Sequence, residues 1–257
     1  MLATLILPII LGLLIGLGVN YLSDVLPVMH RLSRPTCPRC GAPYAWAVYL
    51  LLKPCAQCGA ARHWRAAVVM LVITVMSVYI WLNPQLRYGI GWGLVLLAYF
   101  GVVTVIDLEH RLILHPVSLV GLGLGLAAGS LTRGWQDTLL GAAAGLGIMM
   151  VFYLFGALFA RWRAKRMGSD DGEEALGFGD VALATVLGAW LGWPLIWFGL
   201  LLGILLSGVF ILLLMLGLLV TGKYKTLSVY VAYGPYLVLS AVILLYFPFL
   251  LNGLGYR

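Results

Sequence analysis

The chain has 257 residues, of which 63% are hydrophobic and only 10% charged, with a mean hydropathy of +1.04. That composition lies outside the range of soluble domains and identifies a polytopic membrane protein. The formal charge of +7 reads as a topology signal with some attraction to anionic lipid headgroups, and it needs no nucleic-acid partner.

At about 20 apolar residues per crossing, eight segments are predicted at about 2–22, 66–82, 89–106, 112–131, 138–160, 181–192, 195–220 and 229–250. The first lacks a positively charged start and a small-residue cleavage site, so it is read as a retained helix. The sixth and seventh are split at "GWP" (Gly192 to Pro194), because proline removes a helix donor and tryptophan favours the interface. Of the sixteen Lys and Arg, thirteen fall in loops 23–65, 107–111, 161–180 and 221–228, and only Arg87, Arg133 and Arg257 on the other side. The positive-inside rule puts those four loops in the cytoplasm and both termini outside it. The expected fold is all-α with about eight transmembrane helices: a first helix (1–22), a cytoplasmic zinc-knuckle loop (23–65) and a seven-helix membrane domain (66–257). The glycines are distributed for close helix packing.

All four cysteines lie in the first cytoplasmic loop, as "CPRCG" (Cys37, Cys40) and "CAQCG" (Cys55, Cys58). Each turn points two thiolates at one ion, and two such turns complete a tetrahedral four-sulfur site for structural zinc, with an apo or redox-active loop as the alternative. A reducing compartment would not maintain disulfides here. A closed four-thiolate site holds a loop that has little core of its own and does not activate water.

The chemistry is expected from carboxylates at the membrane edge. Asp170, Asp171, Glu173 and Glu174 crowd one polar loop and read as a solvated run, with attraction of a basic peptide as the sharper alternative. Asp107, in "GVVTVIDLEHRLI", ends the third membrane helix, and Asp180, in "GFGDVALAT", opens the sixth. Two carboxylates from different helices can share one proton, since like-charge repulsion raises one pKa while the ionised partner removes a proton from water. That is the chemistry of aspartic proteases. A lone carboxylate at a helix N-terminus is otherwise explained by the helix dipole, which is the plain reading of Asp180. The turn Gly177-Phe178-Gly179 is the candidate substrate-facing element, its glycines expected to allow positive φ and close backbone approach. His115 follows Asp107 closely enough to reach the acids or a substrate, although a histidine bonded to a neighbouring carbonyl is the plainer reading.

In "GLGVNYLSDVLP", "CPRCG", "CAQCG", "IDLEHRL", "GFGDVALATVLGAWLGW" and "AYGPYLVLS", the chain resembles the type IV prepilin peptidases, which are GxGD-type intramembrane aspartyl proteases. The resemblance covers most of the chain. It implies eight transmembrane helices and Asp107 with Asp180 as the catalytic pair. The implied substrates are prepilin or pseudopilin precursors, cut at the cytoplasmic face of the bacterial inner membrane between a basic leader and a hydrophobic helix. Many members also methylate the new N-terminus with S-adenosylmethionine. The departures fall on the methyl-transfer side: Asp24 and Val25 stand where Tyr-Arg is usual, and Met70 stands where a glutamate is usual. "LHP" also replaces a usual Pro-Asp or Pro-Asn, which puts His115 in an unusual place.

Two other classes compete. An ion-coupled transporter would use Asp107 and Asp180 as proton carriers, but would keep such acids near the bilayer midplane and has no use for a zinc loop. A structural subunit without catalysis would not need both aspartates.

Overall fold

The computed structural model describes residues 2–61, 64–84, 86–167, 177–221 and 232–247. Its helices are α1 (Leu2–Met29), α2 (Trp46–Leu50), α3 (Trp64–Leu82), α4 (Gly89–His110), α5 (His115–Arg133), α6 (Trp135–Met167), α7 (Phe178–Leu191), α8 (Leu195–Val220) and α9 (Gly234–Tyr246). Among the described residues there is no strand, only an isolated bridge between Thr36 and Pro43. Helices α1, α3, α4, α5, α6 and α8 are long and apolar enough to cross a membrane, while α7 and α9 are shorter apolar helices. The all-α, multi-pass expectation is borne out, and each of the eight apolar segments carries a helix. The acidic run 170–174 lies outside the described residues.

Two helices run past their predicted apolar segments. α1 continues beyond residue 22 to Met29. Asn20 is fully buried, and its side-chain amide donates to the carbonyls of Gly16 (3.0 Å) and Ala66 (3.2 Å). α6 spans 33 residues to Met167, its last turns basic where the apolar stretch has ended at Trp162.

The chain divides into two compact units, Met1–His110 and Arg111–Arg257. In the first, α1, α3 and α4 pack on one another. Gly12 and Gly16, spaced four apart on α1, let α3 come close: a Cβ on Gly12 would lie 2.6 Å from the Thr74 Cα, and one on Gly16 would lie 2.9 Å from the Met70 Sδ. Small residues four apart permit this approach where no hydrophobic force drives helices together. Met70 is therefore a packing side chain, seated on Gly16. Ser77 fastens the same interface by donating to the Pro8 carbonyl at 2.8 Å.

The second unit is organised around α7. Every residue from Val186 to Leu191 is buried, as are Val181, Leu183 and Ala184, and α5, α6, α8 and α9 all pack against this helix. Side chains on all its faces are apolar because all its faces meet protein. The "GAAAG" of α6 brings Gly141 and Gly145 against the backbone of Gly188 and Ala184. On the α5 side, Gly125 meets Trp190 and Gly129 meets Ala189, and the Trp190 indole donates to the Gly121 carbonyl at 3.2 Å. α7 ends at the predicted turn, where Gly192 takes φ 73° and Trp193-Pro194 is cis.

Candidate active site and metal loop

The two cysteine turns repeat one backbone scheme. Cys37 N–H donates to Ala42 O (2.8 Å) and Gly41 N–H to Cys37 O (2.8 Å); Cys55 N–H donates to Ala60 O (2.9 Å) and Gly59 N–H to Cys55 O (2.9 Å). The glycine after each pair has positive φ, 71° at Gly41 and 67° at Gly59, a conformation that side chains disfavour. Cys37 Sγ lies 3.7 Å from Cys58 Sγ and Cys40 Sγ 3.8 Å from Cys55 Sγ, with all four sulfurs within 4.8 Å of one another. A tetrahedral ion with bonds of about 2.3 Å requires sulfurs roughly 3.8 Å apart. The four cysteines therefore fit one metal ion, and their spacing suits four separate thiolates around an ion.

The thiols are already graded for that task. Backbone N–H groups of Arg39 and Cys40 hold the Cys37 thiol down at about 6. Those of Cys58 and Gln57 lower Cys55. At Cys40 the Ala42 N–H pulls the same way, but loss of water and the facing Cys58, Cys37 and Cys55 sulfurs outweigh it and push the thiol up to about 12. Four sulfurs this close cannot all ionise without a cation among them.

The loop is tied to its helices by polar contacts. Tyr49 of α2 is buried in one cluster with Cys37, Tyr44 and Cys55, and its hydroxyl donates to the Asp24 carboxylate near the end of α1. Arg65, in the first turn of α3, pairs with that same Asp24 and with Glu109 at the end of α4. No periodicity or motif signals this network, since its members lie 25 to 44 residues apart. Asp24 accepts from both Tyr49 and Arg65.

Asp107 sits in the last turns of α4, only 4% exposed and preceded by the buried Val105 and Ile106. His110 closes the helix at the surface. In the other unit, Asp180 lies in the first turn of α7 with Gly177 as N-cap. Its amide donates to the Gly177 carbonyl at 3.1 Å. A Cβ at Gly177 would be 3.9 Å from Asp180 Oδ2, so the carboxylate folds back over the cap, as acids do at this helix position.

The glycines of "GFGD" depart from expectation. Gly177 is extended (φ −77°, ψ 145°) and Gly179 is helical; neither takes positive φ. Gly179 is needed for room, because a Cβ there would lie 2.9 Å from the Ile113 Cβ. Phe178 between them is 47% exposed and is flanked by the rings of Tyr153 (6.1 Å) and His115 (6.2 Å). His115 is thus part of an aromatic group beside the turn. Tyr233, at the N-cap of α9 in "AYGP", hydrogen-bonds Ser207 and feels the charge of Asp180. Its motif was visible in the sequence, but this neighbour was not.

The pattern of the type IV leader peptidase family matches residues 94–212, a stretch that includes Asp107 and Asp180. The prepilin leader peptidase/N-methyltransferase of Pseudomonas aeruginosa is 30% identical over 235 residues, covering 76% of this chain and 75% of that protein. The chain belongs to the type IV leader peptidase family. Proteins of the same name from Stutzerimonas stutzeri (27% identical, 93% of this chain and 89% of the relative) and Aeromonas salmonicida (30% identical, 83% and 71%) extend the likeness along most of its length. No solved structure matches the chain. The resemblance carried by GxGD, paired CxxC and the closing Gly-Pro is therefore borne out. The cysteine turns lie N-terminal to the matched residues.

Proposed function

We propose that this protein is a membrane aspartic endopeptidase that removes the basic leader from type IV prepilin or pseudopilin precursors at the cytoplasmic face of the inner membrane. The observation that carries the reading is that Asp107 and Asp180 both fall within the residues matching the leader peptidase family. Asp107 is buried in the last turns of α4 and Asp180 lies in the first turn of α7; one of the two carboxyls is proposed to stay protonated while the other is ionised. Sharing one proton, the ionised partner takes a proton from water, the hydroxide attacks the peptide carbonyl, and the protonated partner donates to the developing oxyanion. Gly177, Phe178 and Gly179 are the proposed substrate-binding turn, with the exposed Phe178 ring offering an apolar contact to the precursor.

The metal of the cysteine loop is proposed to be zinc, held by Cys37, Cys40, Cys55 and Cys58. A closed four-sulfur site supplies structure and leaves no open position for water. The proposed partners are the precursor proteins and the lipid bilayer, with both chain termini outside the cytoplasm and no nucleic acid involved. The N-methyltransferase activity in the relatives' names would require S-adenosylmethionine. That activity rests on the relatives' names while Met70 packs on Gly16 and Asp24 pairs with Arg65, so the proposal is confined to the peptidase.

The test is co-expression with a prepilin-like precursor and measurement of leader removal. The unaltered chain is expected to process the precursor, and Asp107→Asn and Asp180→Asn each to slow cleavage by about 100-fold or more. Unchanged processing by either variant overturns the assignment. An uncut precursor together with proton-coupled solute uptake would mark the transporter instead.

A further inference from the structure

We propose that Arg65 is a positioning residue, coupling metal occupancy of the cysteine loop to the end of α4 that carries Asp107. The inference rests on the reading of the four cysteines as a metal site. Every step lies within the unit Met1–His110. Tyr49 is buried against Cys37 and Cys55, so its ring rests on the surface that a bound ion makes rigid. Its hydroxyl reaches Asp24. Arg65 holds Asp24 with Nη2 and Glu109 with Nη1, and Glu109 is two residues from Asp107 on the same helix.

The geometry suits transmission better than local stability. An exposed ion pair alone holds side chains weakly, but the Arg65 side chain is only 18% exposed and its planar fork fixes two carboxylates at once. Three helices therefore meet at one guanidinium, and the loop reaches it through Asp24. If the ion sharpens the position of Tyr49, and through Asp24 that of Arg65, the end of α4 is ordered with it. Energetic coupling is reciprocal: whatever the ion does for α4, breaking the network at α4 must do to the affinity for the ion by the same factor. Glu109 has no part in the metal site, so its effect on metal affinity isolates the coupling.

The experiment measures zinc affinity of the purified full chain by competition with a chromogenic chelator, independently of proteolysis. Glu109→Gln, an isosteric change at a partly exposed side chain, is expected to weaken zinc binding about 5-fold or more. Tyr49→Phe, which keeps the ring but loses the hydroxyl, is expected to weaken it as well. The double variant should be no weaker than the weaker single one, because both cut the same path. Hydrogen exchange of the amides from Val105 to His110 should be slower with zinc than without in the unaltered chain, and insensitive to zinc in Glu109→Gln. Arg65→Lys, lacking the fork, is expected to behave like Glu109→Gln. Equal zinc affinity in Glu109→Gln and the unaltered chain, or additive losses in the double variant, overturns the coupling while leaving the metal site standing. An unaltered chain that binds no zinc overturns the metal reading and the coupling with it.

Discussion

The backbone of Gly179 lies directly against the side chain of Ile113, close enough that a Cβ on the glycine would come within 2.9 Å of the Ile113 Cβ. Gly177, two residues earlier, has nothing among the described residues nearer to such a Cβ than 3.9 Å, and its φ of −77° suits any residue. The two glycines of the motif are therefore not equivalent. Gly179→Ala forces Ile113 or the first turn of α7 to move, one residue from Asp180. Precursor cleavage is expected to fall at least tenfold in Gly179→Ala while membrane insertion and expression persist. Gly177→Ala is expected to stay within about threefold of the unaltered chain. Equal activities for the two variants would show that space at Gly179 is not what the motif protects.

The seating of α7 makes a stability prediction. Gly145 of α6 is so near the Ala184 carbonyl that any side chain must push the helices apart. Gly145→Ala is expected to cost about 1–3 kcal/mol, the usual range for overpacking, read as a lower thermal unfolding midpoint in detergent. Gly147→Ala, whose added Cβ would meet nothing within 4 Å among the described residues, serves as the control and should leave the midpoint unchanged or slightly raised. A Gly145→Ala midpoint equal to that control would contradict the close α6 to α7 approach.

Arg133 closes the far end of the same helix. Its guanidinium donates to the carbonyls of Trp190 (2.6 Å) and Ala189 (2.7 Å), which belong to the last turn of α7 and have no acceptor role within it. Hydrogen bonds from a charged donor contribute about 1.5–3 kcal/mol. Arg133→Ala is expected to lower the unfolding midpoint, and Arg133→Lys to recover only part, because one ammonium does not reproduce the fork. Full recovery by lysine would reduce the role of Arg133 to its charge.

The graded thiols predict a pH dependence for metal uptake. The Cys37 thiol is depressed from its ordinary value of 9.0 to about 6, so in the folded, metal-free loop it is already a thiolate near pH 7.5 and protonated near pH 5. The stability its thiolate lends the loop is complete above the ordinary value and is lost as pH falls through about 6. Cys40, held up at about 12, must release a proton to the solvent on binding at either pH, since only thiolates ligate. Calorimetric zinc titrations in buffers of different ionisation enthalpy are expected to show at least about one more proton released per zinc near pH 5 than near pH 7.5, the lowered Cys55 adding to the difference from Cys37. An equal count at both would mean that Cys37 is not held ionised.

Hydropathy made most of this fold legible, because each of the eight apolar stretches does carry a helix. It stopped short at Ser23 and Asp24, which look like the start of a loop, although Ser23 is buried and Asn20, in the turn before it, is bonded across the helix bundle. A scale of transfer energies cannot represent a polar group whose partner is supplied by another helix. The two cysteine turns were legible as metal-ligating turns from their spacing. The glycines of "GFGD" were misread as needing positive φ, because there the missing side chain serves contact with Ile113 and leaves the backbone angles ordinary. The Tyr49, Asp24, Arg65 and Glu109 network was not legible at all. Charged residues far apart in sequence have no period, and only the folded unit shows which of them meet.

α7 is short for a membrane-crossing helix. Fourteen residues rise about 21 Å at 1.5 Å each, against a hydrocarbon layer of about 30 Å. In a helix facing lipid, that hydrophobic mismatch would tilt the helix or thin the bilayer. Here the neighbours α5, α6, α8 and α9 enclose the helix, and the longer ones among them meet the lipid in its place. The length of α7 is thereby set by its protein neighbours rather than by the thickness of the bilayer.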